Sequence, residues 1–213
     1  MGLPFNVPLP QPLAQLTQSA APFRMDQITR LFIQQYPQTA PSFANAAAMQ
    51  SKANWDALIA AGDITAIAYT PVFANPKIGE AKRIEQAADT NNTFAGLAEF
   101  YTKGTVRFTG TFRCKDAASM SALDTLTQYS LQNTQGNTGL AAYFVNSAKP
   151  NGMFFSNADF SAIPIWNFAV GTRMSDGFGG PDLVNFAFDM LYTWADNLVC
   201  TIPSFDPNTS YAV

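Results

Sequence analysis

The sequence predicts an α+β protein: an antiparallel β-sandwich or barrel-like body with one inserted helix, preceded by an extended arm and short N-terminal helices. Three observations predict it. Up to residue 62 apolar residues recur at three- and four-residue steps, and beyond it they alternate at steps of two. The strand candidates beyond residue 62 are mostly separated by short turns, which favours antiparallel neighbours over parallel ones. Prolines crowd the first 22 residues, where they remove backbone donors and exclude an inner helix or a central strand. The expected organisation is an N-terminal arm and helical segment over 1–62 and a β-rich body over 63–213.

Taken in order, residues 1–22 alternate proline with apolar residues: Pro4, Phe5, Val7, Pro8, Leu9, Pro10, Pro12, Leu13. Such an arm is expected to lie against its own body or a neighbouring subunit. Met25, Ile28, Leu31, Phe32 and Tyr36 then predict a helix that Pro37 stops. A weaker helix is expected over Phe43–Gln50, and a third with Asn54 as its N-cap and Gly62 as its end. Strands are expected over Ile64–Phe73, Lys77–Ala88 and, most clearly, Thr105–Lys115. In that last stretch Val106, Phe108, Gly110, Phe112 and Cys114 share one face, and Thr105, Arg107, Thr109, Thr111 and Arg113 the other. A helix near 116–131 places Met120, Leu123, Leu126 and Leu131 inward. Leu140–Asn146 and Met153–Ser156 read as a hairpin turning through Pro150-Asn151-Gly152, since Asn-Gly favours a tight reversal. Ile163–Met174 and Leu183–Tyr192 complete the strands, and 193–213 is a closing segment with Pro203 and Pro207. No repeat of 20 to 50 residues is visible.

Composition narrows the function. Apolar residues make up 47% of the 213, including 18 Phe, so a core needs no disulfide or metal to support it. Charged residues are only 13%, half the roughly 25% usual in soluble domains. So thin a charge layer suits a chain whose outside is covered by neighbours. Seven of the twelve Lys and Arg lie between Lys77 and Lys115, whereas 117–213 holds two basic residues against seven Asp, a net of −5. An acidic pI near 4.8 argues against a nucleic-acid reader, and the polarity fits a basic middle pairing with an acidic C-terminal half of a neighbour. Cys114 and Cys200 match no metal spacing and read as buried thiols. No secretory leader, myristoylation signal or membrane span is expected. Asn6 stands where a myristoylation signal needs Ser or Thr, and Asn185, Asp189, Asp196 and Asn197 interrupt the most apolar stretch.

The chain contains no histidine. That removes Ser-His-Asp and Cys-His catalysis, His-ligated zinc and the commonest general base at neutral pH. Glutamate is limited to Glu80, Glu85 and Glu99, so a glycosidase-type carboxylate pair would need Asp176, Asp182 or Asp189, which read as loop and surface acids. Asp176-Gly-Phe-Gly-Gly-Pro181 lacks the Lys-Ser/Thr of a phosphate loop, and Asp89-Thr-Asn-Asn-Thr93 lacks the acidic alternation of a calcium loop. No catalytic, cofactor-binding or metal-binding residue is therefore assigned, and the chain is expected not to be an enzyme. Trp55, Trp166 and Trp194 read as core more than as a sugar-stacking platform. The candidate assembly interface consists of Leu3, Phe5, Val7, Leu9 and Leu13 on the arm, with Arg107 and Arg113 on the polar strand face.

The run Gly104-Thr-Val-Arg-Phe-Thr-Gly-Thr-Phe-Arg-Cys-Lys-Asp116, with the Leu-spaced helix and aromatic hairpin behind it, resembles tailed-bacteriophage virion proteins of the tail-tube or head–tail neck type. Asn54-Trp-Asp-Ala-Leu58 and Trp194-Ala-Asp196 add to the resemblance, which spans about residues 54–200. It implies a structural protein of the virion, assembled in the host cytoplasm, that forms a ring, tube or lattice in a tail tube, neck or baseplate. The implied partners are copies of itself and other virion proteins, with contact with or passage of phage DNA that is not sequence-specific. No cofactor and no membrane are implied. The alternatives are a capsid protein, or a non-catalytic adhesin or carbohydrate-binding module.

Overall fold

A computed structural model describes residues 27–36, 41–86, 99–114, 117–132, 139–147, 152–174 and 182–211. The fold is organised around a strand that meets no water. Strand β7, Gly139–Asn146, carries Leu-Ala-Ala-Tyr-Phe-Val-Asn, and every residue after Gly139 is buried. A strand covered on both faces needs such a continuous apolar run. On one edge it pairs antiparallel with β1, Ile28–Tyr36, from Ile28↔Asn146 to Tyr36↔Gly139. On the other edge it pairs with β8, Met153–Ser156, and with the start of β9, Ile163–Met174. The β7–β8 hairpin is as expected, and Gly152 in its connection has φ +76°. A Cβ there would sit 2.9 Å from the carbonyl of Asn146, so glycine is required twice over.

The segment expected as a helix over Met25–Tyr36 is therefore a strand from Ile28 onward, with Met25 outside the described residues. Both of its faces are covered, so apolar residues occupy consecutive positions and the spacing of Ile28, Leu31 and Phe32 imitates a helical period. Competition for the β7 edge, with β-branched Ile28, Thr29 and Ile33, decides for the strand. Helix α1, Ala46–Gln50, is capped by the Asn45 side chain. Helix α2, Lys52–Ile59, starts from Ser51, and Asn54, expected as its cap, lies inside it and donates to the Ala48 carbonyl at 2.8 Å. The expected strand Ile64–Phe73 shortens to β2, Ile67–Tyr69, because Pro71 interrupts the ladder. The expected strand from Lys77 divides into the end of β3, Phe73–Ile78, and β4, Arg83–Gln86.

Among the described strands, β4 pairs only with β5, Glu99–Lys103, in a separate two-stranded ribbon. The chain returns as β6, Val106–Cys114, then helix α3, Ala117–Gln132. Strand β10, Asp182–Met190, pairs with β6 without a register shift from Asp182↔Cys114 to Met190↔Val106. Strand β11, Val199–Thr201, extends β8, and α4, Pro207–Ser210, closes the described chain.

The described strands other than the ribbon form one open antiparallel sheet of nine, folded into two layers. Layer A holds β1, β2, β7, β8 and β11, layer B holds β3, β6 and β10, and β9 runs through both. Its residues Ile163–Ile165 pair with β7, while Trp166–Met174 pair with β10. Between the layers lies the first core, with Phe108, Phe112, Phe186 and Phe188 from layer B against Leu31, Leu140 and Phe144 from layer A, and Leu123 of α3. On the far side of layer A, α1, α2 and the C-terminal segment cover a second core of Phe32, Phe43, Trp55, Tyr143, Phe154 and Tyr211.

Gly110 shows how tightly the first core is filled. A Cβ there would lie 2.6 Å from the Phe186 ring, which is stacked on Phe112 with centroids 4.1 Å apart. Phe186 is buried, with Phe73 packed edge-on against it at 5.0 Å as well, so the ring can yield only by disturbing its neighbours. Gly110→Ala is expected to destabilise the fold by about 1–3 kcal/mol through overpacking. A lowered urea midpoint with an unchanged slope is the result that checks it.

Candidate assembly surfaces

The outer face of layer B is assembled from four strands. Alternation on β6 sends Val106, Phe108 and Phe112 inward and leaves Arg107 and Arg113 exposed on either side of Thr109 and Thr111. The same alternation on β10 buries Val184, Phe186 and Phe188 and turns Asn185, Ala187 and Asp189 outward. The register sets Thr111 opposite Asn185, whose Oδ1 accepts from the Thr111 Oγ1 at 3.0 Å, and Arg107 opposite Asp189. Asp189 also accepts from Asn167 Nδ2 at 2.8 Å, and Arg173 pairs with Asp182 across β9 and β10. Asn75 and Asn167 take left-handed backbone conformations, φ 54° and 53°, at register shifts in β3 and β9. Asparagine tolerates that region better than most residues.

These strands surround an open depression of about 630 Å³ lined by Lys77, Arg107, Thr109, Thr111, Gly171 and Asn185, among others. Two cations and no carboxylate line it. Among the described residues no group of three or more His, Cys, Asp or Glu could hold a metal ion. No described helix is long and apolar enough to cross a membrane.

The opposite, helix-covered side is acidic. Asp63 in the α2–β2 connection is exposed and accepts from the Thr65 hydroxyl and backbone N–H. Those hydrogen bonds, the hydroxyl's first, hold its carboxyl below the usual carboxylate range. Asp159 in the β8–β9 connection is exposed and accepts from the Ser161 N–H at 3.0 Å and its hydroxyl at 2.6 Å. Asp56 is engaged by Lys52 at 2.7 Å and by the Tyr211 hydroxyl at 2.8 Å.

Of the residues expected at an interface, Arg107 and Arg113 lie on one exposed strand face. Leu3, Phe5, Val7, Leu9 and Leu13 lie outside the described residues, as do Asp89–Thr93 and Asp176–Pro181. Sequence reasoning placed Lys77 in the basic middle stretch without assigning it to this face, and missed Gly171 and Asn185. The alternation of β10 marks Asn185 as outward, but only the strand order brings it beside Thr111.

Trp55 is fully buried, and Trp166 and Trp194 are partly so, Trp194 packing on the first core. Cys200 is a free thiol, and burial pushes its pKa up to about 11. It is therefore protonated at neutral pH, and its alkylation by iodoacetamide in the native protein should be slow. Peptide mapping should show rapid modification of Cys200 only after unfolding.

No family model matches the chain, and no curated protein matches it. Among solved structures, a chain of the virion of a native gene transfer agent particle is similar over 63% of this chain and 88% of that one, at 12% identity and a TM-score of 0.32. A chain of the tail of an empty gene transfer agent particle, of C6 symmetry, is similar over 63% and 86%, at 10% identity and a TM-score of 0.29.

Proposed function

We propose that the chain is a non-catalytic structural subunit of a phage-like particle that assembles with its own copies, and with other virion proteins, into a ring, tube or lattice. A tail tube, neck or baseplate is the finer placement, with assembly in the host cytoplasm and non-sequence-specific contact with or passage of DNA. The placement in a virion follows the resemblance of the Gly104–Asp116 run and its surroundings. The observation that carries the self-assembly is the β4–β5 ribbon. Its two strands pair with each other and with no third described strand. Two strands alone are marginal in water, and a ribbon with unpaired edges is a template for a further strand or a neighbouring surface. The thin charge layer, 13% of residues, agrees with an exterior that is largely covered in the assembled state.

The ribbon can be removed cleanly, because the Gly104 N–H donates to the Lys82 carbonyl at 2.7 Å where it leaves the body. Light scattering and electron microscopy should show ordered oligomers of the full chain. A chain with 83–103 replaced by a short Gly-Asn turn should fold but stay monomeric. Deleting residues 1–22 should likewise impair assembly and leave the fold intact. A full-length protein that stays monomeric at high concentration overturns the reading.

A further inference from the structure

The two sides of the molecule carry opposite charge. The outer face of layer B exposes Lys77, Arg107 and Arg113, with Asp189 opposite Arg107 in the register and Arg173 paired with Asp182. The first core separates layer B from layer A, and the second core separates layer A from α1 and α2. The cationic sheet face and the helix-covered side are therefore opposite ends of one stack of layers. On the helix-covered side, Asp63 and Asp159 are exposed, and neither pairs with a cation among the described residues. Lys52, the cation of α2, is already engaged by Asp56.

From this opposition we infer that copies associate head to tail, the cationic face of layer B on one copy meeting the acidic helix-covered side, with Asp63 and Asp159, on the next. The inference rests on the self-assembly reading above and names its geometry. Like faces would set cation against cation, so a two-fold dimer through layer B is disfavoured, whereas front-to-back contact joins opposite charges. A front-to-back contact uses two different patches on every copy. It therefore continues from copy to copy, closing into a ring if the rotation permits and running into a filament if it does not.

The test uses charge reversal in the full chain, read by sedimentation velocity. The front set is Lys77→Glu, Arg107→Glu and Arg113→Glu, and the back set is Asp63→Lys and Asp159→Lys. All five side chains are exposed, so the urea midpoint reports whether each variant keeps the fold. Each set alone is expected to weaken association by about tenfold or more. The variant carrying both sets has an acidic front and a basic back, and should recover the association of the parent. Added salt should weaken the parent's association, since exposed charges are screened beyond about 8 Å at physiological ionic strength. If the parent assembles and neither set changes it, or if the combined variant fails to recover, the inference is overturned and the self-assembly reading stands. If the parent itself never leaves the monomer, both fall.

Discussion

Trp55→Ala is expected to remove about 3–5 kcal/mol of folding free energy, a large part of the roughly 5–15 kcal/mol that holds a typical domain together. The indole is fully buried at the centre of the second core. It stacks on Phe154 with centroids 4.1 Å apart and planes 13° apart, and it meets Phe32 and Tyr143 edge-on at 5.0 and 5.2 Å. Its Nε1 donates to the Met49 carbonyl at 2.8 Å, which ties α1 to α2. Alanine leaves a cavity walled by rings that are themselves packed, so little collapse can offset the loss. Trp55→Phe keeps most of the apolar surface and forfeits the hydrogen bond, and should cost about 1–2 kcal/mol. Urea unfolding of the two variants separates packing from hydrogen bonding. A Trp55→Ala protein within about 1 kcal/mol of the parent would show that the second core contributes little to stability.

The second large effect is expected at Arg30. Its side chain is 1% exposed, on a strand covered on both faces. Burial pulls the guanidinium below its ordinary pKa, partly offset by attraction to Tyr69 and Asp206. Its Nη1 donates to the carbonyls of Pro207 and Tyr211 at 2.9 and 2.7 Å, so it terminates α4 from below. The same segment is tied down by the Tyr211 hydroxyl on Asp56, by the Thr29 hydroxyl on Asn208 and by the Ser204 hydroxyl on Gln50. Arg30→Met fills the space but strands two buried carbonyls, and should cost about 2–4 kcal/mol. The loss should appear first as release of the C-terminal segment. Limited proteolysis with mass mapping is expected to nick the variant after Pro203 while the parent resists. Equal resistance in both would show that the aromatic packing of Phe205 and Tyr211 holds the segment by itself.

What could be read from the sequence followed how much water each element meets. Strand β6 has one face in the core and one outside, so its alternation is written in the residues, and Arg107 and Arg113 were identifiable as outward. Strand β10 carries the same signal and shortened by only two residues at its C-terminal end, at Met190. Strand β1 meets layer B on one side and the second core on the other, which erases the alternation and leaves spacings that a helix would also produce. The shortening at Pro71 is a local decision of the ladder, and α2 begins right after Ser51, so that Asn54 falls inside it. The cationic face was half legible. Two of its residues lie on one strand, but Lys77, Gly171 and Asn185 come from three others, and only the strand order makes them neighbours. Nothing in the sequence singles out Asp63 and Asp159. Their shared side of the molecule became visible only when the layers were stacked.

Strand β9 belongs to both layers over its 12 residues, so the layers are joined by continuous covalent backbone as well as by packed side chains. A shearing load applied to one layer passes to the other through that strut. Prising them apart demands rupture of the ladder with β7 or the ladder with β10, where sliding phenyl rings past one another would not suffice.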